Sequence, residues 1–164
     1  MDIEKRKAPD ESHDIERYWS ATRAGQPHSP LYVLLLGLRP SDPITILKRL
    51  RGGLEFAAFE RFQKNTQFST TDLADLVAIK MRTLHRRREQ GRLEPDEADR
   101  LLRASRVFAK ALDLFEGDTA GARRWLNTPA KALGGERPFA LAGTDLGARE
   151  VEALIDRLEH GVLA

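Results

Sequence analysis

The stretch Thr71–Gly91, TDLADLVAIKMRTLHRRREQG, decides how the chain reads. Ser69 or Thr70 can cap a short helix that carries Leu73, Ala74, Leu76 and Val77. A tight turn follows at Ala78, and a second helix runs from about Lys80 to Gln90, where Gly91 stops it. Two short helices crossing steeply, with a small residue at their contact, are what a helix-turn-helix needs. Leu73, Val77, Ile79 and Leu84 supply the apolar contacts and Ala74 the close approach. The bend falls on Ala78, where positive φ is expected and glycine is usual, so some backbone strain is expected there.

Charge concentrates in the same place. Lys80 to Arg92 holds six Lys/Arg against the single acid Glu89, a local +5, in a chain whose formal net charge is only +2. Localised positive charge is the electrostatic signature of a phosphate-backbone contact; a solvated basic helix face is the ordinary alternative. If Leu84 faces the core, Lys80, Met81, Arg82, His85 and Arg86 turn outward, toward base edges in a major groove. Arginine can fork to guanine, and Met81 or Thr83 can touch a thymine methyl. Arg87, Arg88 and Arg92 are expected to meet phosphates, which position a protein without reading sequence.

The same helical periodicity extends outward in both directions. Ser29-Pro30 opens a short helix, or a buried strand, over the apolar run Leu31–Leu38, LYVLLLGL. Asp42-Pro43 starts another that stops at Gly52-Gly53, and Leu54, Phe56, Phe59 and Phe62 line the next. Pro95 with Asp96 and Glu97 opens a long helix, because acids favour the positive end of the helix dipole. Leu101, Leu102, Ser105, Phe108, Leu112 and Phe115 recur along it at helical spacing, up to Gly117-Asp118. Beyond lie a short helix near Ala122–Leu126, a Pro/Gly-rich loop, a helix from Pro138 and a last helix from about Ala148 to His160. In that last helix Val151, Leu154, Ile155 and Leu158 share the core face. No strand-like alternation is found, and the fold class is all-α. Three segments are expected: an arm over 1–41, mobile as far as about residue 29; a helix-turn-helix domain with a dimer contact over 42–117; and a small helical domain over 118–164.

Composition excludes several chemistries. With no cysteine there is no disulfide, thiolate or cysteine-held metal. The four histidines, His13, His28, His85 and His160, lack metal-ligand spacing, and no phosphate-binding glycine pattern occurs. No catalytic residue, cofactor or metal is expected. The charged N-terminus MDIEKRKAPDESHD is not read as a secretory signal, and the longest apolar run is far short of the roughly 20 residues that span a bilayer. A cytoplasmic protein is expected.

Several stretches resemble the Xre/MbcA/ParS family of Xre-type antitoxins. They are GGLEFAAFERFQ (52–63), the segment from Thr71 to Arg103, ARRWLNTPAKALGGERPFAL (122–141) and GAREVEALIDRLEHGVLA (147–164). The C-terminal half is the more specific: Trp125-Leu126, Pro129, Leu133-Gly134-Gly135, Pro138, Gly147, Glu150-Val151, Leu154 and Glu159-His160-Gly161 match the family's toxin-binding domain. The resemblance implies a homodimeric repressor of its own operon; by the reading of α-helical spacing above, Lys80, Met81, Arg82, Thr83, His85, Arg86 and Arg88 are the candidates to meet the double-stranded operator DNA. It also implies a C-terminal domain that covers the active site of a RES-family, NAD-targeting toxin. Trp125, Lys131, Leu133, Arg137, Arg149, His160, Val162 and Leu163 are the contact candidates there. Trp125, Leu133 and the Val151/Leu154/Ile155/Leu158 face are also needed for the domain's own core. Two other readings of the residues stay open: a regulator whose C-terminal half dimerises or senses a small ligand, and a protein-interaction module without DNA binding.

Overall fold

The computed structural model describes residues 14–27, 29–39 and 42–161. Ten α-helices and one 3-10 turn make up the ordered elements among them: α1 Asp14–Arg23, α2 Leu31–Leu36, α3 Pro43–Arg51, α4 Phe56–Thr66, α5 Thr70–Leu76, α6 Met81–Gln90, α7 Pro95–Leu114, α8 Thr119–Asn127, the 3-10 turn Lys131–Leu133, α9 Pro138–Leu141 and α10 Asp145–Glu159. Extended pairing among the described residues is limited to one isolated antiparallel bridge, Glu55 with Arg92. The protein is all-α.

Local chemistry sets the ends. Asp42 accepts the Thr45 N–H at 2.9 Å and Pro43 stands at the first position of α3. Those bonds hold the Asp42 carboxyl below its ordinary pKa. Ser69 caps α5, Asp118 caps α8 and Thr144 caps α10, each accepting an N–H three residues on. The Thr144 cap starts α10 a turn earlier than the periodicity of its apolar face suggests. At the head of α7, Glu94 and Glu97 form a reciprocal capping box.

The helix α7 is the spine. Ala98, Leu101, Ser105, Phe108 and Leu112 line one side of it, while Val107 and Ala111 are buried on another. Its neighbours α2, α3, α4, α5, α8 and α10 all pack on it, and the buried apolar side chains form one continuous cluster from Leu31 to Ile155. The helix-turn-helix half and the C-terminal half therefore share a wall at α7, where two separable cores are expected from sequence. The same packing occupies the helix that the sequence offers as a dimer contact.

Two other expectations change. Within the arm, residues 14–23 form α1, which docks on α4 through a twofold hydrogen-bonded ion pair, Asp14 Oδ1 and Oδ2 accepting from Arg61 at 2.9 Å each. Asn65 donates to Asp14 and to the Leu35 carbonyl in the same place. Trp19 lies over the α7–α8 junction, so close that a Cβ on Gly117 would be 2.8 Å from its indole nitrogen. Leu158, placed on the core face by its spacing, is 41% exposed, because α10 runs past the end of the core after Ile155.

Asp14→Ala removes the two hydrogen bonds that tie α1 to Arg61 and the bond from Asn65, and should cost about 1 to 3 kcal/mol. The check is urea unfolding together with tryptophan emission, which should shift red as Trp19 loses its cover; an unshifted spectrum would mean α1 holds by other contacts.

Candidate nucleic-acid and partner interfaces

Between α5 and α6 the chain turns through Ala78, whose φ is +55°. The carbonyl of Ala74 accepts from Ile79 N–H at 2.9 Å and that of Asp75 from Ala78 N–H at 3.0 Å. This is the paired six-to-one and five-to-two bonding of a helix stop with a left-handed residue in it, and the position expected to need positive φ has it. Replacing Ala78 by Gly should relieve left-handed strain of about 1 to 2 kcal/mol, offset in part by unfolded-chain entropy of about 0.4 to 1 kcal/mol. A small rise in Tm by calorimetry is expected, and a fall would show that the turn is unstrained.

Leu84 is buried and anchors α6, which leaves Lys80, Met81, Arg82, His85 and Arg86 exposed and Thr83 half-buried. The first turn of α6 contains no acid, and the Lys80 side chain does not cap it. Its N–H groups and the positive end of the helix dipole thus face outward together with the basic side chains, an arrangement suited to a phosphate backbone.

The other basic residues of the segment are turned to internal work. Arg87 donates from Nε and Nη2 to the Glu97 carboxylate at 2.9 to 3.1 Å and reaches Glu94 at 3.5 Å. The bond to Glu97, outweighing desolvation, raises the Arg87 pKa above the ordinary guanidinium value. Arg92 donates to the carbonyls of Gly52 and Gly53 at 2.8 and 3.3 Å. The phosphate role expected of Arg87 and Arg92 gives way to tying α6 and its exit to α7 and to the α3–α4 turn. Arg88 remains exposed yet leans back, 3.3 Å from Glu60 and 5.4 Å from the Phe56 ring centroid. Glu60 and Glu97 are partners that sequence spacing does not reveal, lying 28 residues before Arg88 and 10 after Arg87.

Removing the Glu97 carboxylate takes the main partner from a largely buried guanidinium, leaving it the longer contacts to Glu94 and Gln90; the Glu97 and Arg87 side chains are only 6% and 12% exposed. Glu97→Ala should cost about 3 kcal/mol. Asp145→Ala, which breaks the exposed pair with Arg149 at 3.1 Å, should cost less than about 1 kcal/mol. Equal denaturant midpoints for the two variants would refute the ranking.

On the C-terminal half, Lys131, Arg137, Arg149 and His160 are exposed. Trp125 is half-buried against Phe115, and His160 donates from Nδ1 to the Asp156 carbonyl. Leu133 does not reach the surface: only 9% exposed, it closes the 3-10 turn inward onto the core, and contact there falls to its neighbours. Val162 and Leu163 lie outside the described residues. Leu146, which the sequence reading passes over, is 72% exposed on the first turn of α10, about one helical turn from Arg149. Arg137 lines a small cavity of ≈ 120 Å³ with Asp72, Asp75, Leu76, Phe139 and Ala140, so a C-terminal candidate sits directly beside α5. Among the described residues no cluster of His and acidic groups could hold a metal, and no helix is long and apolar enough to cross a membrane.

Comparison with known proteins agrees with this geometry. Residues 46–106 match the antitoxin Xre-like helix-turn-helix domain, and residues 110–161 match the antitoxin Xre/MbcA/ParS C-terminal toxin-binding domain. The chain is 35% identical to antitoxin Xre of Yersinia enterocolitica over 130 residues, 79% of this chain and 88% of that protein. It is 34% identical to antitoxin Xre of Photorhabdus laumondii over 116 residues, 70% of this chain and 78% of that one. Antitoxin Xre of Pseudomonas putida is 34% identical over 84 residues, about half of each chain. With both domain types present in order and a relative covered over most of its length, the chain belongs to the Xre antitoxin family, a family of DNA-binding antitoxins and not of enzymes.

Proposed function

We propose that this antitoxin neutralises a RES-family, NAD-targeting toxin by covering its active site and represses its own operon as a homodimer. The observation that carries the reading is the union, in one chain, of a toxin-binding domain over 110–161 with an α6 whose first turn is basic, outward-facing and free of acids. The same union favours it over a regulator that senses a small ligand.

On the DNA side, two copies of α6 enter successive major grooves about one helical turn apart. Lys80, Met81, Arg82, Thr83, His85 and Arg86 face base edges and the nearer phosphates. Arg88 exchanges Glu60 for a phosphate only at the cost of that pair, so it adds less than its charge suggests. On the toxin side, the contact surface runs from Trp125 through Lys131 and Arg137 to Arg149, Leu146 and His160, and Val162 and Leu163 are further contact candidates. An exposed apolar side chain rimmed by charges, as at Leu146, is the common form of a contact anchor. Arg137 and Arg149 suit the acidic or anion-binding groups of a cleft.

The test is expression of the neighbouring gene product alone and together with this protein. Growth arrest by the neighbour alone, with rescue and a stable complex on co-expression, is the expected result. A harmless, non-binding neighbour would refute the toxin reading. Arg82→Ala with Arg86→Ala should then abolish operator binding and leave neutralisation intact. Loss of both in a variant still helical by circular dichroism would refute the division of labour.

A further inference from the structure

The helix-turn-helix is clamped from behind by the C-terminal half. The turn between α9 and α10 passes so close to α5 that a Cβ on Gly143 would lie 2.9 Å from the Leu76 carbonyl oxygen, closer than real Cβ atoms stand. Arg103 of α7 donates to the Gly143 carbonyl at 3.2 Å, with its other amino group on Asp99. One turn earlier, Arg100 donates to the Val77 carbonyl at 3.2 Å, at the end of α5. Beside these, Phe139 of α9 stacks on Phe68, with ring centroids 4.0 Å apart, and Phe68 meets Phe108 of α7 edge-on at 5.9 Å. Farther along, Arg123 of α8 donates to the Thr66 carbonyl and to Gln67 Oε1, at 3.2 and 3.1 Å, where α4 leaves for α5.

These contacts converge on the short α5 and its exit. A seven-residue helix followed by a residue in the left-handed region has little stability of its own. We infer that Gly143, Arg100 and Arg103 are positioning residues for DNA recognition: the α9–α10 turn holds the helix-turn-helix bend, so operator affinity depends on the C-terminal half within the same subunit. Arg100 acts through the Val77 carbonyl oxygen at the bend and Arg103 through the Gly143 carbonyl of the α9–α10 turn, neither through a phosphate. The inference has a reciprocal side, which rests on the toxin reading above. A toxin seated around Arg137 and Leu146 would stiffen the clamp, and operator DNA would by the same free energy favour toxin binding.

Gly143→Ala is the cleanest probe, because the Gly143 φ lies outside the left-handed region and the only strain on the added methyl is its close approach to the Leu76 carbonyl oxygen. The full chain is used, with a duplex carrying the sequence immediately upstream of its own coding region. Amide hydrogen exchange over Ala78–Met81 should quicken about ten-fold while α8 and α10 keep wild-type rates, as local opening of one cooperative unit predicts. Duplex affinity should fall about ten-fold, the cost of roughly one mismatched base pair. Should Gly143→Ala unfold, Arg103→Met, which releases the α9–α10 turn from α7, gives the same two readouts. It adds a third: its affinity should fall with the salt slope unchanged, whereas loss of a phosphate contact lowers the slope by about one. Wild-type exchange over Ala78–Met81, or a flattened salt slope, overturns the inference. If the wild-type chain does not bind the duplex, the DNA reading fails separately, and the exchange rates alone decide the clamp.

Discussion

A twenty-residue helix with buried groups on more than one side has to be covered from several directions, and the rest of this structure answers that demand. α7 carries ten buried residues, spread well beyond the single stripe of an ordinary surface helix. Water must be excluded from Val107 and Ala111 as well as from Leu101 and Phe108. The helix-turn-helix alone cannot do that. α2 and α4 close one flank, and α8 and α10 close another. The family match changes from one domain type to the other between residues 106 and 110, in the middle of α7, so the seam between functions is no seam in the core.

The basic segment shows how one run of charge is divided by geometry. At the start of α6, Lys80, Arg82 and Arg86 stand where no acidic side chain of their own helix turn meets them. Toward its end, Arg87 is consumed by Glu97, Arg88 is shared with Glu60 and Phe56, and Arg92 is spent on the carbonyls of Gly52 and Gly53. Three of the six cations of the segment are thus turned to architecture. They fix the orientation of the helix whose other half carries the free charge. A groove-reading helix must be held rigidly if side-chain forks are to meet base edges, because such hydrogen bonds weaken steeply with misalignment.

Much of this is legible in the sequence, since it depends on neighbours along the chain. Caps at Asp42 and Ser69, the stops at Gly37 and Gly91, the positive φ of Ala78 and the inward faces of α4 and α7 all follow from spacings of three and four residues. The outward row Lys80, Met81, Arg82, His85 and Arg86 follows from the burial of Leu84 alone. What is not legible depends on residues brought together from afar. Asp14 meets Arg61 across 47 positions, and nothing in the charged N-terminal stretch marks Asp14 out from its neighbours. Leu158 continues a flawless apolar period but outruns the core, a matter of where other helices end. Leu133, which the sequence offers both to the core and to a partner, is decided for the core by the 3-10 turn that folds it inward.

Gly143 belongs to that second class, and it shows why the two halves cannot be considered apart. In sequence it is a glycine between a short helix and a cap. In space it is the point where backbone meets backbone across the two halves. A contact made by side chains can relax by changing rotamer; one made by main chains in a close-packed interior relaxes less readily and transmits strain. Arg100 then holds the bend and Arg103 holds the Gly143 turn, both from α7, so the two backbones are fixed against one another. Occupancy at the C-terminal surface and order at the DNA surface are linked in such a body without any movement of one domain relative to the other, since stiffening one end lowers the entropic cost of binding at the other.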